Sequence, residues 1–403
     1  MKLVYFDHNA TTPVHPEIKN AMLPFLGEAF GNPSSSHQAG REARMAVEKA
    51  RGQVAALINA EPDEIVFTSG GTEGDNHAIK GVLFNFLRHG HQWHGHQWRG
   101  GQWRGGHAIT TAVEHPAVLE SFMFMKKFFG FETTCLPVDG SGMPDPDDLK
   151  KAIRADTVLV SIMTANNETG NIFPVREMAR TAHEHGILFH TDAVQMTGKL
   201  PIDVKDLGVD LLTASGHKFN APKGAGFQFI RKGTAAEALF SGGHQERGFR
   251  AGTENVPGIA ALGMACELAR TGMKEKMEHI RPLRDRLEEG ILGSVSETVL
   301  NGHGKNRVYN TCNISFRYIE AEALLQMLDM RGICVSTGSA CSSETAEPSH
   351  VLQAMGLSPV CSRGAVRFSL GLGNTAEEVD YCLYVLPPLV RRLQEMSPLF
   401  PAK

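Results

Sequence analysis

Tryptophan is nearly missing from this chain of 403 residues: there are three, Trp93, Trp98 and Trp103, all in one short window, and only five tyrosines. Cysteine is sparse as well. The seven cysteines, at positions 135, 266, 312, 334, 341, 361 and 382, are odd in number and never spaced as C-x-x-C. That leaves no sign of a disulfide framework or a zinc knuckle. No apolar run follows a basic N-terminal segment, and no window approaches the ~18 uninterrupted apolar residues of a membrane span. The expected compartment is therefore cytoplasmic, with no membrane partner. Charge of one sign is not in excess either, since a formal net charge of -4 exerts no general pull on nucleic acid or anionic lipid. What remains is ordinary: 42% hydrophobic and 21% charged residues, in a chain long enough to bury a large core in two or three domains.

Strands and helices alternate along the first two thirds. Ala43 to Leu57 has the apolar spacing of an amphipathic helix, and Ile65 to Thr68 reads as a short strand, followed by a glycine turn and a helix from near Thr72. HAITTAVEH, FETTCLPV, TVLVSIMTANNETG, ILFHTDAVQ and VDLLTASGHK supply further strands. This alternation predicts an α/β fold with a mostly parallel sheet covered by helices on both faces, whose ligands collect at the carboxyl ends of the strands. After about Gly258 the pattern changes to a long helix (Ile259 to Leu292), the strands TCNISF and AVRFSLG, and two more helices, which read as a smaller α+β domain.

Unusual residues gather at the predicted strand ends. Ser69-Gly70-Gly71-Thr72 suits a phosphate cradle at a helix N-terminus, and equally an ordinary glycine turn with Thr72 as N-cap. Asp192 follows an apolar strand, where burial penalises an unpaired carboxylate. Lys218 ends another, in Ser215-Gly216-His217-Lys218, where a lysine of lowered pKa can condense with a carbonyl. A phosphate anchor, a carboxylate and an amine match the needs of pyridoxal phosphate. His115 reads either as a helix-entry residue before Pro116 or as an aromatic or acid/base group over a cofactor ring. Cys341, in a run of small polar residues, is out of place as a core cysteine; the others read as buried apolar fillers.

YFDHNATTPV, GNPSSSHQAGREAR, VFTSGGTEGDNHAIKG, ITTAVEHPAVLE, ANNETGNIFPV, FHTDAVQMTGK, SGHKFNAPKGAG, GGHQERGFRAGTENV, VSTGSACSS, EPSHVL and RFSLG run nearly end to end. Through them the chain resembles the cysteine desulfurases of the NifS/IscS type, in the class V aminotransferase group of fold-type I pyridoxal phosphate enzymes. APKG and GGHQERG are closest to the nitrogen-fixation NifS subtype.

The resemblance implies the fold, a seven-stranded sheet in a large cofactor-binding domain (15–258) and a small domain (1–14 and 259–403) carrying a mobile cysteine loop. It also implies roles. Lys218 would bind the cofactor aldehyde, Asp192 the pyridine nitrogen and Gln195 the phenolic oxygen, with His115 stacked on the ring. Gly71, Thr72, Ser215, His217 and Thr253 would bind the phosphate, Thr253 coming from the second subunit of a homodimer. Asn167, placed at the cofactor too, and Arg367 would receive L-cysteine. Cys341 would take its sulfur as a persulfide, release alanine, and pass the sulfur to an iron-sulfur cluster scaffold or another acceptor protein. A selenocysteine lyase or an aminotransferase keeps the cofactor, but an aminotransferase has no use for Cys341.

Residues 89–106 stand apart as a decaying pentapeptide repeat, HGHQW, HGHQW, RGGQW, RGG. His89, His91, His94 and His96 form H-x-H-x-x-H-x-H, a pattern suited to nickel, copper or zinc and to a non-catalytic metal-binding protein. The tryptophans beside Arg99 and Arg104 would suit base stacking. Deleting His91 to Gly106 leaves FNFLRHGHAITTAVEH, an uninterrupted helix-turn-strand. The tract is therefore read as a tolerated surface insert, with no nucleic-acid partner.

Overall fold

The structure, a computed structural model, describes residues 3–89, 106–337 and 348–401. Its strands are β1 (Val4–Tyr5), β2 (Ile65–Thr68), β3 (His107–Thr111), β4 (Glu132–Leu136), β5 (Thr157–Ser161), β6 (Leu188–Asp192), β7 (Leu211–Ser215), β8 (Gly226–Ile230), β9 (Thr298–Asn301), β10 (Thr311–Phe316), β11 (Ile333–Cys334) and β12 (Ala365–Ser369).

Seven of them form one sheet in the order β2-β8-β7-β6-β5-β3-β4. Within it β3, β4, β5, β6 and β7 are parallel, and β8 runs antiparallel to both its neighbours. Two antiparallel steps leave β2 pointing the same way as β7, so the carboxyl ends of six strands share one edge. Every residue of β2, β3, β5, β7 and β8 is buried, which explains why they read as continuous apolar runs. Alternate residues feed opposite cores: Ile65 and Phe67 face one, Val66 the other. The edge strand β4 is largely open, and its Cys135 is exposed rather than buried filler. Cys266, Cys312 and Cys382 are buried as expected, whereas Cys334 and Cys361 are half-buried.

A second set of sheets follows, β12-β10-β9 antiparallel and β1-β11 parallel. A separate apolar cluster lies here, in which Val4 and Phe6 join Ile314, Phe316, Val366, Phe368 and Leu386. The N-terminal segment thus packs with the C-terminal third. The long helix is Val256–Ser294, three residues earlier than expected at its start because Asn255 accepts from Gly258 N and Pro257 suits the first turn. Its first half packs in the core of the large sheet (Ile259, Leu262), its second half in the other core (Ile280, Leu287).

Candidate active site

The glycine turn after β2 opens a continuous helical stretch, Gly71–Asn76, His77–Gly81 and Val82–His89. Its N-cap is Gly70, not Thr72, and no side chain bonds the first-turn N–H groups from that position. Gly70 has φ of 152°, and a Cβ on Gly71 would lie 2.9 Å from Val194 Cγ2. Glycine is needed for backbone to come this close to the ends of β6 and β7. The result is a set of N–H donors turned toward the strand ends, the arrangement that holds phosphate. Thr253 lines a small cavity of about 110 Å³ with Thr68 and Ser69. Its loop is pinned to β2 by Glu246, which accepts two hydrogen bonds from the buried Arg51 and one from Phe67 N.

Asp192 closes β6. Its Oδ1 accepts from Val194 N at 2.8 Å, and burial pushes its carboxyl up to about 6, against the pull of that N–H and of Lys218. Ser215 closes β7 and is buried, and the short turn after it carries His217 and Lys218. His217 Nδ1 lies 3.2 Å from Thr11 Oγ1, and burial, with Lys218 and Lys223, lowers its pKa to about 4. Lys218 Nζ donates to the carbonyls of Asn9 and Ala10 at 2.6 and 2.8 Å. Gln195 Nε2 donates to the same Asn9 carbonyl at 3.1 Å.

His115 is the N-cap of the helix Pro116–Phe129, its Nδ1 accepting from Ala117 N at 3.1 Å. That bond places the ring proton on Nε2. Burial first, then Lys218 and His350, lowers its pKa to about 4. His115 therefore takes the helix-entry role, and its neutral imidazole also lies near Lys218.

Arg367 on β12 is buried, donating Nη1 to the Asn167 carbonyl at 3.0 Å and Nη2 to Asp7 Oδ1 at 2.8 Å, while Nε has no partner among the described residues. Asn167 is held by its carbonyl, which also accepts from Asn9 Nδ2. Cys341 lies outside the described residues, but both flanks of its segment are described. Ser336 exchanges two backbone hydrogen bonds with Arg367, and Ser349 donates to Glu168 Oε2 at 2.6 Å. His91, His94 and His96 also lie outside the described residues; His89 ends its helix, and no group of three or more metal-binding side chains occurs among the described residues.

Several residues here carried no role in the sequence reading. Asn9, Asp7, Lys199, Glu114 and Asp75 are such cases, although YFDHNATTPV and FHTDAVQMTGK were visible as motifs. Asp75 is buried, its Oδ1 without a hydrogen-bond partner among the described residues and 3.7 Å from His190 Nε2. Burial, and then Asp192, push its carboxyl well above the usual range. A buried acid of that kind beside Asp192 is a signal only a structure reveals.

The donor set fits pyridoxal phosphate. The first-turn N–H groups of a glycine-built helix start, without a side-chain cap among the described residues, suit its phosphate, the buried Asp192 suits a pyridinium N–H, and Lys218 is the nearby amine.

A family model for Aminotransferase class-V matches residues 4–382. The chain is 50% identical over 395 residues to "Cysteine desulfurase IscS" of Dictyoglomus turgidum, covering 98% of this chain and 96% of that relative. A solved structure described as "NIFS-LIKE PROTEIN" superposes with a TM-score of 0.87 at 38% identity, covering 97% of this chain and all (100%) of the other. A second, "SspA in complex with cysteine", gives 0.79 at 35% identity over 91% of this chain and 99% of the other.

Proposed function

The chain belongs to the aminotransferase class-V family, and on that footing we propose that it is a pyridoxal phosphate-dependent cysteine desulfurase converting L-cysteine to L-alanine and a protein persulfide. The observation that carries this reading is the convergence of Lys218, Asp192, Gln195 and His115 at one sheet edge, in a chain half identical to a cysteine desulfurase over nearly its whole length.

Gly71, Thr72, Ser215 and His217 would hold the phosphate, Asp192 the pyridine nitrogen, and Gln195 the phenolic oxygen, with His115 against the ring. When bound, the cofactor supplies an electron sink for negative charge developing next to the substrate's amino group. The remaining work belongs to side chains. Lys218, whose Nζ reaches the carbonyls of Asn9 and Ala10 beside Asp192, is the amine placed to exchange protons with the substrate. His115, its pKa lowered to about 4, is neutral at physiological pH and offers its Nε2–H as a hydrogen-bond donor to the reacting groups. Arg367 and Asn167 would receive the substrate carboxylate and orient it.

Cys341 is the assigned sulfur acceptor. Its thiolate attacks the sulfur of L-cysteine, an S–S bond forms as the substrate C–S bond breaks, and the substrate carbon gains a proton, giving alanine. The finer parts of the proposal are a homodimer completed by Thr253 of the partner subunit, delivery of sulfur to an iron-sulfur cluster scaffold, and a cytoplasmic location. The wording GGHQERG and APKG supports a nitrogen-fixation role. A large domain of residues 15–258 with a small one of 1–14 and 259–403 accords with the separate apolar clusters.

The test is to give L-cysteine to the holoenzyme and to a Cys341→Ala variant, measuring alanine and protein-bound persulfide. Persulfide on the unmodified protein alone is the expected result. None on either would defeat the activity, and persulfide on both would defeat the role of Cys341.

A further inference from the structure

Lys199 lies seven residues after Asp192 and is 3% exposed. Buried lysines are rare unless paired with a carboxylate. Here the charged groups facing Lys199 are cationic: burial, and then Lys276, Lys218 and Arg367, push its pKa well below the usual lysine range, and Lys199 in turn helps to depress His8. Its Nζ donates instead to two amide oxygens, Gln195 Oε1 at 2.8 Å and Asn9 Oδ1 at 2.9 Å.

The partners of the two amide nitrogens show which way each amide faces. Gln195 Nε2 meets the backbone carbonyl of Asn9, and Asn9 Nδ2 meets the backbone carbonyl of Asn167; a carbonyl can only accept. Each amide oxygen must therefore face Lys199, and Lys199 must donate to both. The Asn9 carbonyl that anchors Gln195 Nε2 also accepts from Lys218 Nζ at 2.6 Å, so the amide nitrogen and the reactive amine share one acceptor. Asn9 itself is held from further sides by Asn310, Thr311 and Ser369.

From this frame we infer that Lys199 is a positioning residue: with Asn9 it locks the Gln195 amide with its NH2 group beside Lys218, leaving that group's second proton to donate to the cofactor's phenolic oxygen. The inference rests on the cofactor reading above. It explains why an amine is buried where no opposite charge compensates it, since methionine or leucine would leave Gln195 free to turn its oxygen toward the anionic phenolic group.

The experiment is a double-mutant cycle on the holoenzyme with Lys199→Met, Gln195→Ala and the pair together, reading the pH midpoint of the bound cofactor's visible absorption band. A donor beside the phenolic oxygen eases loss of the cofactor's proton, so its removal raises the midpoint. Lys199→Met is expected to raise it by about one pH unit, the size of one hydrogen bond to a charged group. In the Gln195→Ala background the same substitution is expected to move it less than half as far. An unchanged midpoint, or equal shifts in both backgrounds as a bare charge would give, overturns the positioning role. Circular dichroism checks folding, and Lys199→Gln, which keeps a donor, carries the cycle if the methionine variant does not fold; its midpoint should lie nearer that of the unmodified protein. Absence of any visible band in the unmodified protein loaded with pyridoxal phosphate would defeat the cofactor reading and this inference together, whereas a normal band with no shift defeats this inference alone.

Discussion

Glu114, the residue before His115, sets a dependence of stability on pH that can be worked out from its surroundings. It is fully buried, accepting from Thr111 Oγ1 at 2.7 Å and from Met163 N at 3.1 Å. Burial outweighs those two bonds and, with Asp192 adding to it, raises its pKa from 4.5 to about 8. A raised carboxyl pKa means that the folded chain keeps a proton that the unfolded chain has released. The contribution of Glu114 is then most favourable below pH 4.5 and is lost as pH rises toward 8.

Each pH unit in that window removes about 1.4 kcal/mol, so going from pH 5 to pH 8 removes about 4 kcal/mol through this one group. Glu114→Gln keeps an oxygen for Thr111 and Met163 and abolishes the titration. Unfolding entropy of about 2 cal/mol/K per residue makes 4 kcal/mol worth about 5 °C in a chain of this size. Melting the unmodified protein and Glu114→Gln side by side at pH 5 and pH 8, with saturating cofactor, should show the variant's advantage growing by about 3–5 °C between the two. Melting temperatures that shift in parallel, with a constant difference, would refute the protonated buried state of Glu114.

Two further outcomes are expected. Glu246→Gln leaves the buried Arg51 only the solvent-exposed Glu48 as a charged partner, and breaking the buried pair should lower stability by about 3 kcal/mol, read by chemical denaturation; a variant as stable as the parent would show that the pair holds nothing. A chain lacking residues His91 to Gly106 should retain desulfuration of L-cysteine, since the bounding helix ends at His89 and β3 starts at His107; loss of alanine formation by a folded deletion variant would show that the repeat tract takes part.

Where local pattern carries the physics, the sequence was enough. Strands buried on both faces spell themselves as apolar runs, and Asp192, Ser215 and Lys218 stand out because polar residues follow those runs directly. GFQFI escaped because a five-residue antiparallel strand beginning with glycine has no flanking helix to mark it. Cys135 was misread because an edge strand keeps β-forming residues while losing its cover. Asn9 had no local signal at all: its side chain meets Thr311 across 302 positions, and Lys199 across 190. A residue that works as a hub for distant segments cannot be found from spacing, because no spacing repeats.

That hub explains the shape of the site. Asp7 and Asn9 enter from the N-terminal segment, which packs in the core of the C-terminal third, yet Asn9 contacts Lys218, Gln195 and Lys199 of the large-sheet half. Arg367, almost wholly buried, would be costly without a counter-charge, and Asp7 supplies one through a single Nη2 contact. The pairing is not a two-pronged fork, for Nη1 goes to the Asn167 carbonyl and Nε to nothing among the described residues. An arginine whose charge is balanced but whose hydrogen bonds are incomplete can take a second carboxylate at lower desolvation cost than one already saturated. The same arginine shares backbone bonds with Ser336, at the start of the segment that carries Cys341. In the proposed function the residues for substrate carboxylate and sulfur acceptance are thereby referred to one strand, and it is the N-terminal segment, not either core alone, that ties this strand to Lys218.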